Sequence, residues 1–129
     1  MRPIALKRGY RTPFVKMDRE YAKLNPVDLS SHLINEMLEK KEIPQERIQH
    51  LIWGMVMPDP DIYSIAREAI LASRLDNRVE GYSLSRACAT SLQAADNAVS
   101  YYNAFPEEAP VTLVGGVVSF SSARRVLTE

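Results

Sequence analysis

The 129-residue sequence holds one cysteine and two histidines, so thiol and imidazole chemistry is confined to Cys88, His32 and His50. Cys88 stands in "YSLSRACATSLQAA", residues 82–95, where a strand-like run turns into an alanine-rich helical one. Two readings are open for it. Free cysteine is among the most buried residue types and often serves as a small hydrophobe. In the first turn of a helix, however, unpaired backbone N–H groups and the positive end of the dipole favour thiolate over thiol. The small neighbours Ala87, Ala89, Thr90 and Ser91 would let a substrate approach. The carboxyl end of a parallel strand is also where open α/β sheets bind ligands. His32 falls beside an apolar helical stripe and His50 opens a strand, and a general base must lie within hydrogen-bond reach of the proton it takes. Neither is expected to serve Cys88. Three such residues at these separations make no zinc motif, and a single cysteine makes no intrachain disulfide, which points to a reducing compartment such as the cytoplasm. Gly115-Gly116 is expected to mark a tight bend or close packing rather than a phosphate site. Arg124-Arg125 is expected to be solvated.

The elements that must position Cys88 follow from periodicity and punctuation. Residues 3–8, "PIALKR", read as a short strand ended by Gly9. Asn25 and Pro26 are a cap and a first helical residue, and Leu29, Leu33, Ile34, Met37 and Leu38 recur at helical spacing to about Lys41. One turn of helix is expected near Pro44. "HLIWGMVM", residues 50–57, is a buried strand, followed by the "PDPDIY" loop. Ser64 caps a helix carrying Ile65, Ala66, Ala69 and Ile70. A short strand at 80–85 puts Tyr82 and Leu84 on one face. A helix is expected over 88–104, and a last strand over 111–120, broken at Gly115-Gly116. The order β–α–β–α–β–α–β implies an α/β fold, a mainly parallel sheet with helices on both faces. Residues 1–120 form the domain and 121–129 a tail.

Bulk composition bounds the function. Apolar residues make up 46% and charged residues 25%, typical of a folded globular domain. Sixteen basic residues balance sixteen acidic ones, so no electrostatic excess favours nucleic acid. No apolar stretch is long enough to span a bilayer. Pro3, Gly9 and Pro13 interrupt the N-terminus, which resembles neither a secretory signal nor an amphipathic transit helix.

"RACATSLQAA" resembles the nucleophile motif of the thiolase superfamily, a cysteine followed by small residues and Gln-Ala at the start of a buried helix. In order and spacing, "GYRTPF", "NPVDL", "LIWGMVM…SIAREAIL" and "LVGGVVSF" resemble further family stretches, so the likeness covers residues 4–120. The wording "YSLSRACATSLQA" resembles in particular the β-subunit thiolases of fatty-acid β-oxidation complexes. The resemblance implies acyl transfer, as 3-ketoacyl-CoA thiolysis or acyl-CoA condensation. Cys88 would be the acylated nucleophile, and its backbone N–H would contribute to an oxyanion hole. Coenzyme A thioesters would be substrates, with no metal or redox cofactor. It also implies a homo-oligomer built on the strand near 80–85, and a β-oxidation hydratase/dehydrogenase subunit as a possible partner. In the family, the loop equivalent to "MVMPDPDIYS" contacts the partner subunit. The family's activating histidine, its second cysteine and one further strand come from beyond the stretch matched here, and Val118 stands where the family has an acidic residue. Turnover is therefore expected to need residues outside these 129. The alternative is a non-catalytic thiolase-like domain for acyl-CoA binding or assembly.

Overall fold

The computed structural model describes residues 3–40 and 42–123. Helix α1 spans Pro26–Glu39 and begins with reciprocal caps. The Asn25 side chain accepts the Asp28 N–H at 2.9 Å, and the Asp28 carboxylate accepts the Asn25 N–H at 3.0 Å. A 3₁₀ turn at Gln45–Arg47 leads into β1, Ile48–Met55. Helix α2, Ile65–Ala72, is capped by Ser64, whose side chain accepts the Arg67 N–H, while Ser83 from the next strand accepts the Ala66 N–H at 2.9 Å. Strand β2 covers Glu80–Leu84, α3 Thr90–Ala104 and β3 Val111–Val117. The sheet order is β2-β1-β3 and both pairings are parallel, with Gly54 opposite Leu84 on one side and Gly116 on the other.

Alternation along the central strand divides the core. Leu51, Trp53 and Met55 join Ile34, Ile65 and Ile70 on the α1/α2 side, whereas Ile52 meets Ala94 and Ala98 of α3, with Leu84 and Val114 alongside. Helices therefore cover both faces, as the sequence implies. Each such aliphatic side chain contributes about 1.5–3 kcal/mol by leaving water. The Trp53 indole N–H donates to Ser30 Oγ at 2.9 Å, and that hydroxyl donates to the Pro26 carbonyl at 2.7 Å. Trp53→Phe should cost about 1–2 kcal/mol in urea unfolding followed by circular dichroism, through the lost donor and lost volume.

Several boundaries differ from the sequence reading. Residues 3–8 form no strand: they are irregular and join no ladder, with Leu6 exposed. A strand persists through its neighbour's hydrogen bonds, and the described residues offer this segment none. β1 runs two residues earlier than expected because Ile48 pairs with Val111, while Val56 and Met57 fall past the ladder. β3 stops at Val117, where its partner β1 ends at Met55, so Val118–Phe120 have nothing to pair with. Gly115 and Gly116 do not break that strand; both lie within the ladder. Helix α3 starts at Thr90, not at Cys88. Of the expected tail only 121–123 are described, and Ser121 Oγ accepts the Asp18 N–H at 2.8 Å; Arg124 and Arg125 lie outside the described residues.

Before β2, the Arg78 side chain and backbone N–H both donate to Asp76, holding its carboxyl down from 3.8 to about 2. A depressed carboxyl adds stability above its ordinary range and loses it as pH falls through the folded value. Wild type should therefore exceed Asp76→Asn in stability above pH 4, with the difference shrinking as pH falls toward and through about 2 in acid titrations of thermal unfolding.

Candidate active site

Leaving β2, the chain must turn sharply to enter α3, and Cys88 sits on that turn. Ala87 adopts φ +45°, the left-handed region that a side chain disfavours. The Ala89 N–H donates to the Arg86 carbonyl at 3.0 Å, and the Thr90 N–H donates to the Ala87 carbonyl at 3.2 Å. Thr90 closes the turn from inside. Its hydroxyl accepts the Arg86 N–H at 2.9 Å and donates to the Ala87 carbonyl at 2.6 Å. Outside the turn, Arg86 Nη1 donates to Gln93 Oε1, and the Gln93 amide donates to Asn97 Oδ1 at 2.7 Å. Asn97 in turn donates to the Tyr82 hydroxyl at 3.1 Å, so β2, the turn and the first half of α3 share one polar chain.

Within these 129 residues Cys88 is exposed and belongs to neither apolar cluster. It also lies ahead of the helix rather than in its first turn, because the left-handed Ala87 delays helix entry to Thr90. Cys88 still follows the carboxyl end of β2, the end at which parallel sheets place ligand sites.

Two glycines make this close approach fit. A Cβ on Gly54 would lie 2.2 Å from Thr90 Cγ2 and 2.5 Å from the Leu84 carbonyl oxygen. One on Gly116 would lie 2.9 Å from Ser91 Oγ. Gly115 instead faces the Trp53 ring, at 2.5 Å from a would-be Cβ. The Gly115-Gly116 pair thus serves close packing, the second of the two roles expected for it. The part played by Gly54 is visible only once β1 and α3 are placed together.

The histidines stand elsewhere. His32 is on α1, across the sheet from α3. His50 is near the start of β1, opposite Glu80, with its Nε2 3.8 Å from the Glu80 carboxylate and its ring edge-on to Tyr101. That is the end of the sheet opposite Cys88. The Tyr101 hydroxyl donates to Glu108, which raises its pKa to about 12. Val118 is exposed just past β3. In the loop after β1, Met57 and Tyr63 are exposed. A cleft of about 620 Å³ opens between the 9–17 arm, α1 and the end of β3, walled by Tyr10, Phe14, Met37 and Trp53. It takes only Ser91 from α3, and Cys88 is not on its wall. Among the described residues no group of three or more His, Cys, Asp or Glu side chains is placed to hold a metal ion.

Residues 4–129 match the thiolase N-terminal domain. The chain belongs to the thiolase family. It is 41% identical over 96 residues to a 3-ketoacyl-CoA thiolase of Escherichia coli O157:H7, covering 74% of this chain and 22% of that protein. It is 42% identical over 94 residues to a 3-ketoacyl-CoA thiolase of Cronobacter sakazakii, covering 73% and 22%. The thiolase fold itself is shared with the acetyl-CoA acetyltransferase of Bacillus anthracis, at a TM-score of 0.77 and 24% identity over 88% of this chain and 28% of that one. The chain thus spans about a fifth of the length of the thiolases it matches. No helix among the described residues is long and apolar enough to cross a membrane.

Proposed function

We propose that this chain carries the nucleophile of a thiolase-type acyltransferase, with Cys88 as the acyl acceptor. The observation that carries the reading is an exposed cysteine on a left-handed turn at the carboxyl end of the sheet, in a chain of the thiolase family. The substrates are acyl-CoA or 3-ketoacyl-CoA thioesters, in keeping with the names of the relatives. In the first half-reaction the Cys88 thiol loses its proton to a base, and the thiolate attacks the thioester carbonyl carbon of an acyl-CoA, or the 3-keto carbon of a 3-ketoacyl-CoA, to form a tetrahedral oxyanion. Collapse leaves an acyl-cysteine and breaks the carbon–sulfur bond to coenzyme A in an acyl-CoA, or the C2–C3 bond in a 3-ketoacyl-CoA. For a simple acyl-CoA the leaving coenzyme A thiolate takes up the proton. For a 3-ketoacyl-CoA the departing acetyl-CoA carbanion takes it. One difficult transfer becomes two easier ones, and the sulfur chemistry is complete without a metal or redox cofactor. The backbone N–H of Cys88 would help hold the oxyanion, a role that needs a donor already aimed outward.

Neither histidine reaches the thiol, so the base that activates it is supplied from outside these 129 residues. The same placement, with Val118 in the position of an acidic residue, is what favours the second reading, a non-catalytic domain that binds acyl-CoA or takes part in assembly. The open edge of β2 is the surface on which a second copy would pair, and a β-oxidation hydratase/dehydrogenase subunit is the further partner that fits this reading. A single reduced thiol suits the cytoplasm.

Incubation with acetyl-CoA followed by peptide mass mapping separates the two readings. One acetyl group on the Cys88 peptide, with one equivalent of coenzyme A thiol released, is the expected result. Acetylation scattered over lysines with Cys88 unmodified would leave the non-catalytic reading standing. Sustained turnover by the 129-residue chain alone would contradict an external base.

A further inference from the structure

We propose that Thr90 is the positioning residue for the Cys88 thiol, holding the strained turn that presents it; the inference rests on the reading of Cys88 as acyl acceptor. A non-glycine residue at φ +45° persists only where its surroundings over-determine it. Here two backbone hydrogen bonds close the turn, and the Thr90 hydroxyl is the buried side-chain group that bonds on both sides of Ala87. Thr90 is 3% exposed, so water does not compete for its bonds. It satisfies an N–H before the left-handed residue and the carbonyl of that residue itself, bracketing Ala87 and fixing where Cys88 leaves the chain. The residue is pinned in turn by Gly54, whose missing side chain leaves room for the Thr90 methyl against β1. Strand, turn and helix therefore meet at a single buried side chain two residues after Cys88. The Arg86–Gln93 bond outside the turn adds a second tie, but it is exposed to solvent.

Without the hydroxyl, Ala87 is free to relax toward negative φ, and the thiol swings away from the attack line. Misplacement of a reacting group by about 1 Å costs up to roughly 100-fold in rate. In saturation kinetics of Cys88 acylation by acetyl-CoA, Thr90→Val should lower the maximal rate about tenfold or more and leave the half-saturating concentration unchanged. Thr90→Ser, which keeps the hydroxyl, should stay within about twofold of wild type. Adding Ala87→Gly to Thr90→Val should recover part of the loss, since glycine holds positive φ without a strap. Thr90→Ala repeats the deletion with less bulk against Gly54, in case the valine variant does not fold. Hydrogen exchange at the Arg86 amide is read in parallel, protected in wild type and Thr90→Ser, unprotected in Thr90→Val. A valine variant that folds, keeps that protection and acylates at the wild-type rate overturns the inference. Wild type that takes no acetyl group, while Thr90→Val loses the amide protection, removes the acceptor reading and leaves the strap as a structural device only.

Discussion

Cys88→Ser is expected to abolish acyl transfer to this position while leaving the fold untouched. The two halves of that expectation have separate causes. A thiol ionises far more readily than a hydroxyl and is intrinsically nucleophilic as the thiolate, whereas a serine hydroxyl stays protonated unless a base takes its proton in the transition state. Both histidines lie away from the turn, one across the sheet and one at its far end. The serine variant therefore has neither an ionised nucleophile nor a base, and its acylation rate should drop on the order of 10⁴-fold or more, the scale seen when a nucleophile is removed. Stability should not follow. The residue is exposed and belongs to neither apolar cluster, and exposed substitutions of this kind usually stay within about 0.5 kcal/mol. Intact mass after acetyl-CoA treatment and a thermal melt, run on the same samples, test both parts. Acetylation of the serine variant at a rate near wild type would move the acceptor to another side chain.

The reason several helices were legible in the sequence, and the turn that carries Cys88 was not, lies in how far each signal travels along the chain. Asn25-Pro26 and Ser64 announce their helices because a cap is made within three residues, and both caps form as the sequence implies. The 3₁₀ turn after Pro44 is local in the same way. Ile65, Ala66, Ala69 and Ile70 mark the buried face of α2 by spacing alone. Strand ends are another matter, since a strand stops where its neighbour stops. Val118–Phe120 are as strand-like as Val111–Val114, yet β1 ends at Met55 and leaves them without a ladder. "PIALKR" has the composition of a strand and no partner among the described residues.

The start of α3 belongs to the same class. Residues 88–104 carry helix-forming alanines from Cys88 onward, and nothing in that string signals a left-handed Ala87. The turn is set by a threonine hydroxyl reaching back along the chain and by space that a glycine on β1 provides. A buried β-branched residue at a helix start reads as ordinary packing until its hydroxyl is seen to have both partners inside the turn.

That dependence gives Gly54→Ala the second large expected effect. The added methyl would sit 2.2 Å from Thr90 Cγ2 and 2.5 Å from the Leu84 carbonyl oxygen. Only one of these neighbours is a side chain, and it is buried and held by two hydrogen bonds. The other is backbone of the adjacent strand. Overpacking of a tight core typically costs 1–3 kcal/mol, and a clash against backbone on one side and a pinned threonine on the other should reach about 3 kcal/mol or more. For a domain with about 5–15 kcal/mol in total, that is a large fraction of its stability. The strain is also directed. Relief requires α3 to lift away from β1 and β2 at its N-terminal end, which opens the turn that carries Cys88, so acylation should fall in molecules that remain folded. Gly9→Ala is the matched control, because nothing lies within 4 Å of its would-be methyl. Gly116→Ala should be milder, since its nearest neighbour is the Ser91 hydroxyl on an exposed residue, which can rotate away. Adding Thr90→Ser to Gly54→Ala removes the 2.2 Å contact and keeps the hydroxyl. Residues in direct contact are not additive, so the pair should be more stable than Gly54→Ala alone and recover part of its acylation rate. Equal stability of the single and double variants in urea unfolding would mean that the Leu84 carbonyl, and not Thr90, sets the limit on that position.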